Sequence, residues 1–165
     1  MSKDMLVSLL DLPDITQLKN DLAAKGIHIR RAMTPDKYVI LPEVENMMSV
    51  YAKGEADVCF SRQPVSLFIA TIRDKVIGFA CYDGTYRNFF GPTAVQKEYQ
   101  GLGIGKALLV ETLADMRNVG YAYAIIGSAG PAKFYEKCVG AKEIEGSDPG
   151  IYKDFLLLLK EESHD

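Results

Sequence analysis

The sequence has 165 residues, a length that favours one domain of radius about 15 Å. Hydrophobic residues make up 48% and charged residues 25%, the balance of a globular protein with a sizeable core, which excludes disordered and fibrous classes. Nineteen Lys and Arg against 22 Asp and Glu leave a net charge of −3, with no dense basic cluster for nucleic acid and no apolar run near the ~20 residues of a membrane span.

The apolar run that follows the first four residues is broken by Asp11 and Asp14 and is too short for a signal segment. Three cysteines, Cys59, Cys81 and Cys138, show neither a paired motif nor metal-ligand spacing, so free thiols in a reducing cytoplasm are expected, without a metal. From Asp14 the chain reads as a short helix, with Asp14 as N-cap, Gln17 completing a capping box, and Ile15, Leu18 and Leu22 on one face; Gly26 stops it. Residues 27–31 alternate as a strand, with His28 packed or solvated on it. Thr34 and Pro35 then open a helical region reaching about Phe60, which Pro42 and Gly54 are expected to divide.

A β-rich stretch follows. Residues 66–72, 76–82 and 89–95, separated by turn sequences, predict an antiparallel meander. The helix after residue 105 places Leu109, Leu113 and Met116 on one stripe and ends at Gly120. Residues 121–126 suit a strand covered on both faces, 131–139 a second short helix, and Ile144 and residues 155–159 the last two strands. No repeat, low-complexity segment or linker interrupts this order, which reads as a single α+β domain.

The segment that carries chemistry is V-Q-K-E-Y-Q-G-L-G-I-G-K-A at 95–107, a strand end followed by alternate glycines that open a helix. Glycines at 101, 103 and 105 allow backbone N–H groups to converge on an anion, and the helix N-terminus adds about half a positive charge. A phosphate-bearing ligand and a ligand-free glycine turn both satisfy the pattern. Two nucleotide motifs do not: the P-loop spacing is one residue short with Ala107 in place of the hydroxyl, and the dinucleotide fingerprint would need glycine at Leu108.

The run resembles the GNAT superfamily of acetyl-CoA-dependent N-acetyltransferases, whose signature Gln/Arg-x-x-Gly-x-Gly/Ala is met by Gln100, Gly103 and Gly105. Val95 stands where the family keeps an apolar residue at the end of its fourth strand, and A-K-F-Y-E-K at 132–137 is similar to its Ala-x-x-aromatic-Tyr-Glu run. The resemblance spans residues 27–160 as the family core, with 1–26 as an N-terminal helical extension. It implies a mixed sheet of six to seven strands, helices on both faces, and a splayed strand pair holding acetyl-CoA.

Carried over residue by residue, the resemblance implies that N–H groups around Gly101, Gly103, Ile104, Gly105 and Lys106 hold the pyrophosphate, while Gln100 steadies the loop. Pantetheine would pair with backbone near Val95, and N–H groups near Ala94 or Val95 would polarise the thioester carbonyl. Tyr135 matches the family's general acid to the CoA thiolate; its other reading is an amphipathic core residue. Ser128 stands where the family often has an Asn that contacts CoA, and one extra residue precedes Gly140.

Residues 89–95 hold no carboxylate, so no base carries over. Asp83, before Gly84, either forms a turn or binds the amine and relays its proton. Cys138 makes an acyl-cysteine route conceivable, with direct transfer preferred. Asp36, Glu43, Glu45, Glu55 and Asp57 form either an acidic rim for a cationic amine or a solvated helix face, and Tyr38, Tyr51, Tyr82 and Tyr86 either stack on a sugar or pack.

The resemblance therefore implies acetyl transfer to the primary amine of a small molecule, with no nucleic-acid or membrane partner and a homodimer by analogy alone. V-S-L-F-I-A, V-I-G-F-A-C-Y-D, F-F-G-P-T and E-G-S-D-P-G-I-Y are similar to the branch acting on glucosamine and glucosaminides, which puts an amino sugar ahead of polyamines, amino acids, aminoglycosides and protein amines. A non-catalytic acetyl-CoA sensor is the alternative from a different class.

Overall fold

The structure, a computed structural model, describes residues 2–157. Its centre is a seven-stranded mixed sheet. The strands are β1 (Met5–Ser8), β2 (Ile27–Arg31), β3 (Leu67–Ile72), β4 (Lys75–Tyr82), β5 (Phe89–Val95), β6 (Tyr123–Ile126) and β7 (Lys142–Glu143), in the order β2-β3-β4-β5-β6-β1-β7. Every neighbouring pair is antiparallel except β5 and β6. The helices are α1 (Thr16–Ala24), α2 (Lys37–Met47), α3 (Val50–Cys59), α4 (Ile104–Asn118) and α5 (Ala132–Val139). Among the described residues no helix is long and apolar enough to cross a membrane.

Strand periodicity divides the apolar side chains between two cores. On one face Ala80 and Tyr82 pack with Leu108, Leu109 and Leu113 of α4, Leu22 of α1 and Tyr135 of α5. On the other, Phe79 and Cys81 pack with Ile40 and Val44 of α2 and Ala56 and Cys59 of α3. The central strand β4 is buried on both faces from Val76 to Tyr82, so its sequence reads as a nearly continuous apolar run.

The N-terminal residues correct the expected boundary. Residues 1–26 are more than a helical extension, because Met5–Ser8 forms β1, inserted between β6 and β7 in the middle of one half of the sheet. Met5 and Val7 are fully buried while Leu6 is 42% exposed. That alternation is hidden in M-L-V-S-L-L, where both faces of a four-residue strand are apolar or small. Helix α1 starts two residues after Asp14, whose Oδ1 accepts the Thr16 N–H at 2.8 Å, but Ile15 is the capping position and Gln17 donates to Asp21, so the capping box does not form.

Other differences are local. The helical region at 34–60 breaks at Met48 and Ser49, not at Pro42 or Gly54; the Ser49 hydroxyl accepts the Ala52 N–H at 3.1 Å and starts α3 afresh. Strand β6 has Tyr123 at 52% exposure, so it is covered on one face at that end and not on both. Ile144 lies just past β7, its N–H donating to the Asp4 carbonyl at 2.8 Å. Residues 155–157 form no strand, and the remainder of the predicted last strand, with the end of the 27–160 core, lies outside the described residues.

Candidate active site

The site begins at a defect in the sheet. Between β4 and β5 the register shifts at Gly91 and Pro92, where two residues of β5 oppose Cys81 alone, a β-bulge with Gly91 at φ +112°. Strand β5 pairs with β6 only at Phe89 opposite Ile125 and Phe90 opposite Ile126. Pro92 has no N–H to continue that ladder, and the chain leaves β6 through Gly127 and Ser128. Thr93, Ala94 and Val95 pair with β4 alone and present their other edge to a groove of about 550 Å³. The predicted splayed pair is thus present.

The glycine run closes one end of this groove. Gly101 and Gly103 adopt φ +86° and +90°, backbone that an L side chain occupies only under strain. Gly103 is the capping residue of α4, and its carbonyl accepts the first helical bond, from the Ala107 N–H at 3.0 Å. The N–H groups of Ile104, Gly105 and Lys106 precede that bond, so they have no intrahelical acceptor and are available to an anion. The Gln100 side chain donates to the Val95 carbonyl at 3.1 Å, tying the loop to the end of β5. Helix α1 supports the loop from behind: a Cβ on Gly103 would lie 2.7 Å from Leu18 Cδ1.

Ala94, Val95, Gln100, Gly101, Gly103, Ile104, Gly105 and Lys106 all line this one groove, together with Tyr135. Helix N–H groups without intrahelical acceptors, an unpaired strand edge and a buried phenol line this one groove, a set of groups that could hold a phosphate and an extended, peptide-like arm.

A second cavity of about 280 Å³ lies across Tyr135, lined by Glu55, Thr85, Phe89, Tyr152 and Phe155 among others. Thr93, Gly130 and Tyr135 border both cavities. Tyr135 is 5% exposed, with edge-to-face contacts to Phe90 at 6.3 Å and Phe134 at 5.2 Å between ring centroids. Burial, followed by the neighbouring Cys138, pushes its phenol up to about 12, so it stays protonated across the physiological range.

Two predicted residues fall elsewhere. Ser128 borders the second cavity and not the groove; it adopts φ +45° and its N–H donates to Asp4 Oδ1 at 2.7 Å. Asp83 lines neither cavity. Its carboxylate accepts the Asn88 N–H at 2.7 Å and the Tyr121 hydroxyl at 2.9 Å, its carbonyl accepts from Arg62, and its φ of +54° marks a tight turn. The carboxylate expected to serve the amine is thereby spent on holding the β4–β5 connection.

Four of the five acidic residues at 34–60 are engaged away from the cavities: Asp36 with Arg30, Asp57 with Lys37, Glu45 with Lys53, and Glu43 with Gln96. Glu55 differs. It accepts the Thr85 hydroxyl and lines the second cavity, and burial raises its carboxyl while the Thr85 hydrogen bond opposes that rise. A signal for it existed in the sequence: Glu55 lies three residues after Ala52 and four before Cys59, a carboxylate at the edge of a buried helical stripe. Cys138 lines neither cavity, and His28 is exposed on β2. Of the four tyrosines, Tyr38 is 81% exposed, Tyr82 donates to Asp115, Tyr86 packs on Phe89, and Tyr51 lies 5.0 Å from Phe155.

Residues 63–138 match the family model of the acetyltransferase (GNAT) domain. No curated protein matches the chain. Among solved structures, the chain is similar to the GCN5-related glucosamine N-acetyltransferase region of a fungal multi-domain GH3 β-N-acetylglucosaminidase, with a TM-score of 0.70 and 12% identity over 86% of this chain and 19% of that one. It is also similar to a GCN5-related N-acetyltransferase from Sphaerobacter thermophilus, with a TM-score of 0.61 and 18% identity over 86% of this chain and 48% of that one. A GNAT family acetyltransferase from Brucella melitensis, solved with acetyl-CoA, gives a TM-score of 0.51 and 22% identity over 67% of this chain and 80% of that one. The chain thus spans about a fifth and about half the length of the first two. With its splayed mixed sheet and glycine loop, the chain has the GNAT fold of these structures, and the family-model match falls on the stretch that builds the groove, residues 63–138.

Proposed function

We propose that this protein transfers the acetyl group of acetyl-CoA to the primary amine of a small molecule by direct attack of nitrogen on the thioester carbonyl. The observation that carries this reading is the meeting of the two cavities at Tyr135. In this reading the groove takes CoA, with pyrophosphate on the N–H groups of Gly101 and 103–106, pantetheine along Thr93–Val95, and the carbonyl near the N–H groups of Ala94 or Val95. The second cavity takes the acceptor. Holding both reactants against one another removes the entropic cost of a bimolecular encounter and aligns nitrogen with the carbonyl carbon.

Tyr135 lies where the thiolate departs. With the phenol near 12 and a free thiol near 8.5, complete proton transfer to a solvated thiolate would be uphill by about 5 kcal/mol. Tyr135 therefore acts first as a hydrogen-bond donor, and its proton moves only as the C–S bond breaks in surroundings that raise the basicity of sulfur as well.

For the acceptor, an amino sugar such as glucosamine is the first choice. The segments quoted above are similar to the glucosamine branch, the fungal region with the same fold is named for glucosamine, and a cavity of about 280 Å³ suits a single sugar ring better than a folded protein. The test is release of free CoA thiol from acetyl-CoA with glucosamine, spermidine, lysine, an aminoglycoside and a basic peptide, followed by mass spectrometry of each product. Acceptor-dependent thiol with an acetylated product is the expected result. Stabilisation by acetyl-CoA with no turnover would turn the reading toward a sensor, and no stabilisation would overturn it.

A further inference from the structure

Acetyl transfer has a requirement that the sheet does not meet: at neutral pH a primary amine arrives as an ammonium and must lose a proton before it can attack. Strand β5 carries no carboxylate, and Asp83 is committed to Asn88 and Tyr121. Among the described residues, the acceptor cavity is lined by one carboxylate, Glu55, and by no Lys, Arg or His. A carboxylate facing an otherwise uncharged cavity costs free energy that an incoming cation recovers.

We infer that Glu55 receives the acceptor's ammonium and takes its proton, with Thr85 holding the carboxylate in place. This rests on the acetyl-transfer reading. The backbone beneath Glu55 is clamped: its carbonyl accepts from Cys59 Sγ at 3.5 Å, and a Cβ on Gly84 would approach that oxygen to 2.8 Å, so α3 and the β4–β5 connection are in close contact here. Thr85, one residue further on, reaches the carboxylate from the same connection. The titratable groups around Glu55 are Cys59 on its own helix, Cys81 of β4, Tyr135 of α5 and Tyr152 of the C-terminal turn; burial pushes Cys81, Tyr135 and Tyr152 up, so these three stay neutral where a carboxylate would act, while Cys59, held down by its hydrogen bond with Cys81, touches Glu55 at the backbone carbonyl. Desolvation pushes Glu55 upward, toward the range in which a base can accept a proton from an ammonium and return it to solvent.

The proton count closes. The ammonium gives one proton to the Glu55 carboxylate, the freed lone pair forms the C–N bond, and the C–S electron pair leaves on sulfur. Sulfur takes up the Tyr135 proton, the second nitrogen proton restores the phenol, and Glu55 releases its proton to water, so one amide, one thiol and one proton result.

The experiment compares wild type, Glu55→Gln and Thr85→Val for acetyl-CoA-induced thermal stabilisation and for kcat/KM across pH with the amine that the panel yields. Glu55→Gln is expected to keep the acetyl-CoA stabilisation, lose about 10²- to 10³-fold in kcat/KM and lose the acid limb of the pH profile. Thr85→Val removes a donor to the charged carboxylate, so its acid limb is expected at higher pH, which a merely structural role for Glu55 would not produce. If Glu55→Gln acts within twofold of wild type with the same acid limb, or the limb stays in place in Thr85→Val, the assignment is overturned while acetyl transfer stands. If acetyl-CoA fails to stabilise wild type, the reaction itself is overturned, and this role with it.

Discussion

Tyr135 and Asp83 occupy opposite ends of what a single side chain can reveal. Tyr135 is flanked by two aromatic rings and lies between two cavities, so the role we propose for it at the reacting atoms and a role in packing fall on one residue. Removing only its hydroxyl separates them. Tyr135→Phe keeps the ring in its edge-to-face contacts, so stability and acetyl-CoA-induced stabilisation are expected to stay near wild type while kcat falls by about 10²-fold. Rapid-quench measurement of the chemical step checks this, and an unchanged chemical rate would reduce Tyr135 to packing. Asp83 misled because an Asp before Gly at a strand junction is equally well read as a turn or as a catalytic carboxylate. Its partners favour the turn: Asn88 closes the connection five residues on, and Tyr121, 38 residues away, is a partner that no spacing discloses.

Element by element, legibility follows periodicity and length. Strands β3, β4 and β5 and helix α4 are long or bounded by turn residues, and each lies within a residue or two of its predicted place. Strand β1 has four residues and its register exists only through β6 and β7, contacts that local pattern cannot supply. Yet β1 positions the site. Asp4, just before it, accepts the Ser128 N–H at 2.7 Å, while its own N–H donates to Ser147 Oγ at 2.8 Å and its carbonyl accepts from Ile144. It thereby fastens the turn after β6, which borders the second cavity, to the segment leading to Tyr152. Asp4→Ala leaves the Ser128 N–H without its charged acceptor, a loss of about 1.5–3 kcal/mol, and is expected to lower the Tm by roughly 4–8 °C. Asp4→Asn, which keeps an acceptor oxygen, should lose less. Scanning calorimetry of the two variants checks the order, and an unshifted Asp4→Ala would mean that water replaces the clasp.

Over the whole molecule, the loop is legible because glycines at fixed spacing have a local backbone reason, whereas the second cavity is assembled from α3, the β4–β5 connection, α5 and the C-terminal turn and has no local signature. Folding also withdraws several phenols from water. Tyr82 is held up by burial and by its hydrogen bond to Asp115, Tyr121 by burial and Asp83, and Tyr135 and Tyr152 reach about 12 chiefly through burial. An unfolded phenol titrates near 10, so the folded chain holds these protons more tightly than the unfolded one does. The stability they contribute is complete below pH about 10 and is lost as pH rises through 12, with the buried Cys81 thiol adding to the same limb from a lower starting point. The Tm is therefore expected to hold level through neutral pH and to fall steeply in the alkaline range, and the tyrosinate absorbance of wild type minus that of Tyr135→Phe is expected to rise only together with loss of circular dichroism. That difference absorbance appearing near pH 10 in a chain that stays folded would show that the Tyr135 phenol opens to water without unfolding, and would remove the buried, neutral Tyr135 on which the proposed thiolate step depends.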